Sequence, residues 1–595
     1  MKACLQKYVC NTDYKEVIKD AISARVVSYS KRIRMASLGL THIIKQAFEG
    51  VQDVREADLP FDPTNVTFFR QLMLGTDGAF QRIPIVQQLH SEHPEYLVSE
   101  PRHAGDRNIY SSGSIKYMTN LKNHLRCNIL RFIKRRMYRD PTLSNPVAKA
   151  TVAAICGYAH EPQIPQGESV PDDMVVLHRS ILGLSPGDSI TPEWLDDDGH
   201  LQNILRYFEH LNREIRTLQY LYAEQFPERR RAQAFDIVPI CSCKAHFVTI
   251  DTSVLHGILK EIGMIDCNGK TFASLGDEHW RSVFQISRLE GKSSTFTGTM
   301  DTDGVSICVH QRRLTNSMDD FTNQLSLPHF GFELREGDVV VGGDPGGTDL
   351  IHFAVPTSRG DKPFASLKLS KLQYYRESGV KVAQRRSVHW NSGIKSALET
   401  MSGVSSKGSG LQAFVTYMTT YLSVQDTLWQ EYLKTRWARQ RLRLYGGKKR
   451  TFARFFNKLE AMKPSGGRIV VAYGASKFAP SGPGRMAGPT TRVFKECKNR
   501  FLTALVDEFR STKVNAETGA PMKTVEKRIE GGVRSVRGLL WCDSTNQQGG
   551  KFVNRDLNAA INIHRCFAQP QRPSELCRIP GQPRLDLVVG RRIKR

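Results

Sequence analysis

The sequence predicts a multi-domain protein that combines α+β and α/β parts. Three changes of texture carry that expectation. Helical periodicity dominates from about residue 12 to 230, short β-type runs follow to about 335, and strands and helices then alternate. At 595 residues the chain has room for about three to five domains.

Residues 1–11 read as a short strand and a turn. In the helical stretch, Leu201, Ile204, Leu205, Phe208, Leu211, Ile215, Leu218 and Tyr222 recur at three- and four-residue steps, one apolar face of a long helix. A second helix carries Leu121, Leu125, Ile129, Ile133 and Met137 on one stripe. Its other faces hold Lys122, Arg126, Arg131, Lys134, Arg135, Arg136 and Arg139, with no acid before Asp140. A charge run is usually a solvated face, but seven bases without an acid favour contact with a phosphate backbone.

The runs FDIVPIC, HFVTID, SVFQIS and VSICVH predict a small β-rich module, a barrel or sandwich, beginning after Arg229-Arg230-Arg231. GDVVVGGDPGG then opens with a buried strand, and DLIHFAVP after its tight turn completes a hairpin. Residues 411–462 are helical and basic, with Arg436, Arg439, Arg443, Lys448 and Lys449 among their cations. GRIVVAYG is a further strand, 479–491 a loop, TRVFKECKNRF a helix and LTALVDEF a strand.

Composition narrows the function. With 40% hydrophobic and 24% charged residues, the chain is not a disordered tail. No apolar run approaches the ~18 residues of a membrane span, and no secretory signal opens the chain. Twelve thinly spread cysteines suggest a reduced, intracellular setting. The net charge of +25 calls for a polyanion, and nucleic acid is the first candidate, although ribosome-associated and membrane-surface proteins share such charge.

Two acids stand out. Asp344 leaves the sheet in VVVGGDPGGTD, with glycines on either side; Asp-Pro-Gly is equally plain turn chemistry. Asp556 heads the helix in NRDLNAAINI, where Ala559 and Ala560 allow close packing on a sheet; a helix-start acid is also favoured by the macrodipole alone. Together they suit two-metal phosphodiester hydrolysis, which needs carboxylates around cations about 3.5–4 Å apart.

Several segments in this order resemble the Fanzor family, eukaryotic relatives of the transposon nuclease TnpB and, more distantly, of type V CRISPR effectors. They are VVVGGDPGG, KLSKLQYYRESG, IVVAYGASKF, PGRMAGPTTR, LVDEFRSTK and NRDLNAAINI, with FDIVPIC, FVTIDTSVL and TDGVSICV upstream. The similarity spans roughly residues 235–565. It implies a β-barrel wedge domain (1–11 and 235–335) enclosing a helical recognition domain (12–234). An RNase H-like (RuvC) nuclease domain would follow at 336–510 and 553–566, interrupted by a nucleic-acid-binding insert at 511–552 and trailed by a basic tail at 567–595. It further implies a guide RNA, a double-stranded DNA target beside a short adjacent motif, and a nuclear, monomeric ribonucleoprotein without a membrane partner.

Two departures follow. The family's middle carboxylate sits near the end of the strand equivalent to GRIVVAYG, where this chain has Ala472 and Tyr473. Many members carry a Glu on the next strand instead, and Glu508 stands there, with Asp507 on the opposite face. Asp344, Glu508 and Asp556 are thus the expected Mg2+ ligands, for two ions, with Arg510 beside them as a phosphate contact or a strand-edge ion pair. The family's Cys-x-x-Cys pairs are missing: the first place reads Val514-Asn515-Ala516-Glu517 and the second Cys542-Asp543-Ser544-Thr545. No structural zinc is expected there. Two rivals remain open: a guided DNA-binding protein that no longer cuts, and a DDE-type transposase, for which no helix-turn-helix is evident.

Overall fold

The structure is a computed structural model of the chain. It describes residues 2–9, 14–75, 83–158, 164–225, 233–265, 272–313, 334–463, 467–475 and 488–578, except 102, 104, 289, 291–293, 359, 361, 408–409, 530–531 and 544–549. Of the expected 479–491 loop, residues 479–487 lie outside the described residues and Thr490 opens a helix; residues 579–595 of the basic tail also lie outside them. Two compact units emerge, Met1–Leu314 with His389–Leu442, and Thr315–Val388 with Arg443–Arg595.

The first unit is built on helix α1 (Lys15–Ala47), which is buried around most of its circumference. Its buried cations find partners within the unit. Arg25 pairs with Asp106 at 3.1 Å and Glu261 at 2.6 Å, and Arg34 stacks over Tyr421 at 4.1 Å. Around it lie α2 (Asp106–Met137), α3 (Asp172–Leu182) and α4 (Leu201–Gln225). The α4 stripe from Leu201 to Ile215 is wholly buried.

A four-stranded sheet completes the unit, in the order β1 (Lys2–Cys4), β4 (Ser306–Arg313), β3 (Ser294–Thr302), β2 (Val248–Ile250). Every neighbouring pair is antiparallel, and β1 joins at Cys4 opposite Ser306. β1 and β2 are its two edges, so the described sheet is open rather than a closed barrel. Two of the β-type runs are not strands. FDIVPIC is irregular, and SVFQIS ends helix α6 (Phe272–Val283) and passes into a short 3-10 turn. Helix α5 (Thr252–Glu261) also interrupts the region. Val254, Leu255, Ile258 and Leu259 are spaced for a buried helical face, and Asp251 caps it by accepting from Val254 N.

Residues 389–442, expected in the α/β part, belong to this first unit. Helix α7 (Leu411–Tyr432) buries Phe414, Met418, Tyr421 and Leu428 in the same continuous core as α1, α2 and α4. The chain passes into the second unit within helix α8 (Thr435–Ala461).

The second unit holds a five-stranded mixed sheet, ordered β7 (Phe364–Ser370), β6 (Asp349–Pro356), β5 (Val339–Asp344), β8 (Ile469–Gly474), β9 (Leu502–Val506). β5, β8 and β9 run parallel, while β6 is antiparallel to both its neighbours. Such parallel strands are apolar on both sides because both faces are covered. Val341, Val471, Tyr473 and Leu505 face Phe452, Phe456 and Leu459 of α8 and Val493 and Cys497 of α9 (Thr490–Lys498). Val340, Val470, Ala472, Ala504 and Val506 face Ile563, Cys566 and Phe567 of α10 (Arg555–Ala568). Between β9 and α10 stands a three-stranded antiparallel sheet, β10 (Lys523–Ile529), β11 (Gly532–Cys542), β12 (Lys551–Asn554), with Trp541 against Phe552 at 4.8 Å.

Candidate active site

Asp344, Glu508 and Asp556 come from three elements of the second unit. β5 ends at Asp344 and β8 at Gly474, in parallel register with Gly343 beside Tyr473, and β9 continues the set with Val506 beside Gly474. Open parallel sheets bind ligands at these carboxyl ends. Pleating puts Val340, Gly342 and Asp344 on the face that α10 covers. The helix is pressed hard onto the strand: a Cβ on Gly342 would lie 2.0 Å from the Ala560 carbonyl oxygen. Ala559 and Ala560 are fully buried there, and the same helix starts with Asp556 in its first turn, capped by Asn554 accepting from Leu557 N.

Glu508 lies two residues past the end of β9 and is half-buried. A Cβ on Gly474 would fall 2.0 Å from its Oε1 and 2.6 Å from its Cδ. The Glu508 carboxylate therefore fills the volume that a side chain ending β8 would take. By register, the β8 position level with Asp344 is Gly474 rather than Ala472, which pairs one pleat earlier with Gly342. Asp507 points elsewhere, in a two-bond ion pair with Arg578 at 2.6 and 2.9 Å.

Sequence reasoning missed the residues that fasten these acids to one another. Asn558 and Asn562, buried one helical turn apart on α10, each donate from Nδ2 to the carbonyls of Ser511 and Val514, at 2.7–3.2 Å. Asn558 Oδ1 also accepts from Ala516 N at 2.9 Å. The segment after Glu508 is thereby tied to the helix that carries Asp556. The available signal was two Asn four residues apart in a small, apolar helix, NAAIN.

Burial drives the Asp344 carboxyl well above its ordinary range, and the facing charges of Glu508 and Asp556 add to that shift. Asp556 is held by the guanidinium of its neighbour Arg555 at 2.8 Å. The three carboxylates do not have oxygens all within 4.8 Å of one another; among the described residues, the set of three metal-type ligands that does is His178, His210 and Glu214. The donor set of Asp344, Glu508 and Asp556 is oxygen alone, which suits a hard cation such as Mg2+. A buried carboxylate pressed by two others is also a place where a cation relieves repulsion. It is the donor chemistry, rather than a closed three-oxygen cluster, that fits such an ion.

The expected zinc positions hold other chemistry. Val514 is buried under α10, and Asn515 Oδ1 closes a turn by accepting from Glu517 N and Thr518 N. Cys542 is buried, and among the described residues no cysteine joins a three-ligand group.

The basic helices divide into two classes. Arg136 is not a phosphate contact: it is buried, donating to Asp140 at 2.5 Å and to both Glu214 oxygens at 3.2 and 3.3 Å. Arg126 is turned to Asp198 and the Asp196 carbonyl, both at 2.7 Å. Arg135 lies over the Phe132 ring and donates to the Gln233 carbonyl. Arg436 is locked to Glu431 and over Trp390 at 5.1 Å. Arg131, Lys134, Arg439, Arg443, Lys448, Lys449 and Arg510 are exposed. Arg510 is also the one described non-glycine residue with a left-handed backbone, at φ 56°.

Among known proteins, no family model matches the chain and no curated protein matches it significantly. No described helix is long and apolar enough to cross a membrane.

Proposed function

We propose that the chain is an RNA-guided DNA endonuclease of the Fanzor type, with Asp344, Glu508 and Asp556 as the acids of a RuvC-like centre. One observation carries this reading: a strand end, a segment just past a second parallel strand, and the first turn of the covering helix each turn an acid to one face of one sheet. Counted from β5, that sheet runs 3-2-1-4-5 with its second strand reversed, the order expected of an RNase H-like nuclease.

In this reading the three carboxylates would hold Mg2+, which would supply activation of water and neutralisation of charge on the scissile phosphate. The chain's own residues do the rest. β5 fixes Asp344 rigidly, Gly474 leaves space for Glu508, and the Asn558–Asn562 pair keeps the two acid-bearing segments together. Arg510, exposed beside Glu508, is placed in sequence to meet a phosphate. Arg131, Lys134, Arg439, Arg443, Lys448 and Lys449 are the cations open to a nucleic-acid backbone. Guide RNA, duplex DNA and a nuclear setting belong to the same proposal.

The test is cleavage of a matched plasmid by protein purified with its own guide RNA, in Mg2+. Cutting that Asp344→Asn and Glu508→Gln abolish supports the reading; cutting that survives either change removes that residue from the centre. A guided DNA-binding protein that does not cut is the second reading, favoured by the Arg555 guanidinium holding Asp556. It predicts guide-dependent binding to matched DNA with no Mg2+-dependent nicking.

A further inference from the structure

We infer that the first unit carries a zinc site formed by His178, His210 and Glu214, joining helices α3 and α4 and separate from the acids of the second unit. His210 and Glu214 stand one helical turn apart on α4, and His178 reaches them from α3. His178 Nε2 lies 3.3 Å from both Glu214 carboxylate oxygens, and His210 Nε2 lies 3.7 Å from Oε2. Ligands at ~2.0–2.1 Å from a tetrahedral zinc sit about 3.4 Å from one another, close to both separations from Glu214, and all three ligand atoms lie within 4.8 Å of one another.

His178, Glu214 and Arg136 form a hydrogen-bonded chain, and His210 supplies the detail that goes beyond it. His210 Nε2, aimed at Glu214, is buried and makes no hydrogen bond. A relay would close that gap, whereas a metal ligand needs the lone pair free. His178 Nδ1 in turn bonds the Tyr207 hydroxyl at 2.7 Å, the outer contact that orients a ligating imidazole and fixes its tautomer.

Arg136 competes for the Glu214 carboxylate, and Asp140 shares its charge. Two imidazoles and a carboxylate are borderline ligands that select zinc over magnesium.

The experiment uses the full-length chain in an Asp344→Asn background, which removes the acid cluster as a competing site. The protein is stripped with a chelator, loaded with Zn2+ or Co2+ alone, desalted and analysed for metal. The expected result is one ion per chain, a rise in Tm on loading, and a Co2+ spectrum without sulfur charge transfer. X-ray absorption should then give a nitrogen and oxygen shell with two imidazoles, a measurement that requires no further mutation. His210→Asn should lose the ion and the Tm rise. No stoichiometric ion, a shell containing sulfur, or an ion retained by a folded His210→Asn protein would each overturn the assignment.

Discussion

Gly474→Ala is the sharpest probe of the acid arrangement, because it adds one methyl group where a carboxylate already stands. The new Cβ would sit 2.0 Å from Glu508 Oε1, 2.6 Å from its Cδ and 2.8 Å from Pro345 Cδ. Non-bonded carbons settle at about 3.5–4.0 Å, so the carboxylate must retreat by roughly 1–1.5 Å. Glu508 is a flexible side chain half-open to solvent, so the fold gives way cheaply there. The Pro345 ring, longer in contact but less able to move, sets an upper limit of about 1–3 kcal/mol for overpacking. Replacing a strand glycine returns roughly 0.5–1 kcal/mol of that through lower chain entropy. Stability should therefore change by no more than about 2 kcal/mol. Catalysis should suffer more, since a displacement near 1 Å at a reacting centre costs about 100-fold. Guide-programmed plasmid cleavage in Mg2+ measures the rate, and thermal unfolding the stability. A folded Gly474→Ala protein that cuts at the parent rate would refute the reasoning.

The remaining expectations concern charge, strain and anchoring. The raised Asp344 pKa means its contribution to stability is fully present below the ordinary carboxylate value of about 4 and is lost as pH rises through the raised value. Asp344→Asn should thus raise Tm at pH 8 without divalent ions, show no gain near pH 4, and abolish the stabilisation that Mg2+ gives the parent. Arg136→Ala strands the buried Asp140 and half-buried Glu214 carboxylates and should cost about 3–5 kcal/mol in denaturant unfolding. Arg131→Ala, at an exposed position, should leave stability within about 0.5 kcal/mol and lower the log–log salt slope of nucleic-acid binding by about 0.7–0.9. Arg510→Gly should relieve about 1 kcal/mol of left-handed backbone strain while slowing cleavage. Asn562→Ala removes the donor to the Ser511 and Val514 carbonyls and should cost about 1–3 kcal/mol along with cleavage rate.

The second unit was the more legible in sequence. VVVGGD, IVVAYG and LTALV are short apolar runs bounded by glycine or turn residues, a pattern that fully covered parallel strands produce. The region after residue 235 misled because β-type residues are not confined to strands. In SVLHGILKE, the spacing of Val254, Leu255, Ile258 and Leu259 behind an Asp251 cap outweighs the β-branched content. Phe284, one residue past the end of α6, forms only an isolated bridge with Val9, and Ile286 is buried in a 3-10 turn, so neither belongs to a strand. The burial of Arg136 was readable and overlooked. It follows Ile129 by seven residues and Ile133 by three, so it falls on the apolar stripe, not on the basic face. Ion-pair partners such as Glu214 and Asp198, 78 and 72 residues distant, were beyond any local pattern.

Geometry explains how an acid can serve the end of β8 without belonging to it. A carboxylate there needs only to reach the face shared by Asp344 and the first turn of α10. β9 lies beside β8, and Val506 is level with Gly474. Two residues further on, at Glu508, the chain has left the sheet, so its side chain can lean back across the strand end without opposing the pleat. That lean requires an empty β8 terminus, which Gly474 provides, and a fixed path beyond Glu508, which Asn558 and Asn562 provide from the helix of Asp556. Asp507, held outward by Arg578, keeps the alternative acid from the same place. Space, tether and outward lock lie on β8, on α10 and near the chain's end, so the position of Glu508 depends on all three and on no single local motif.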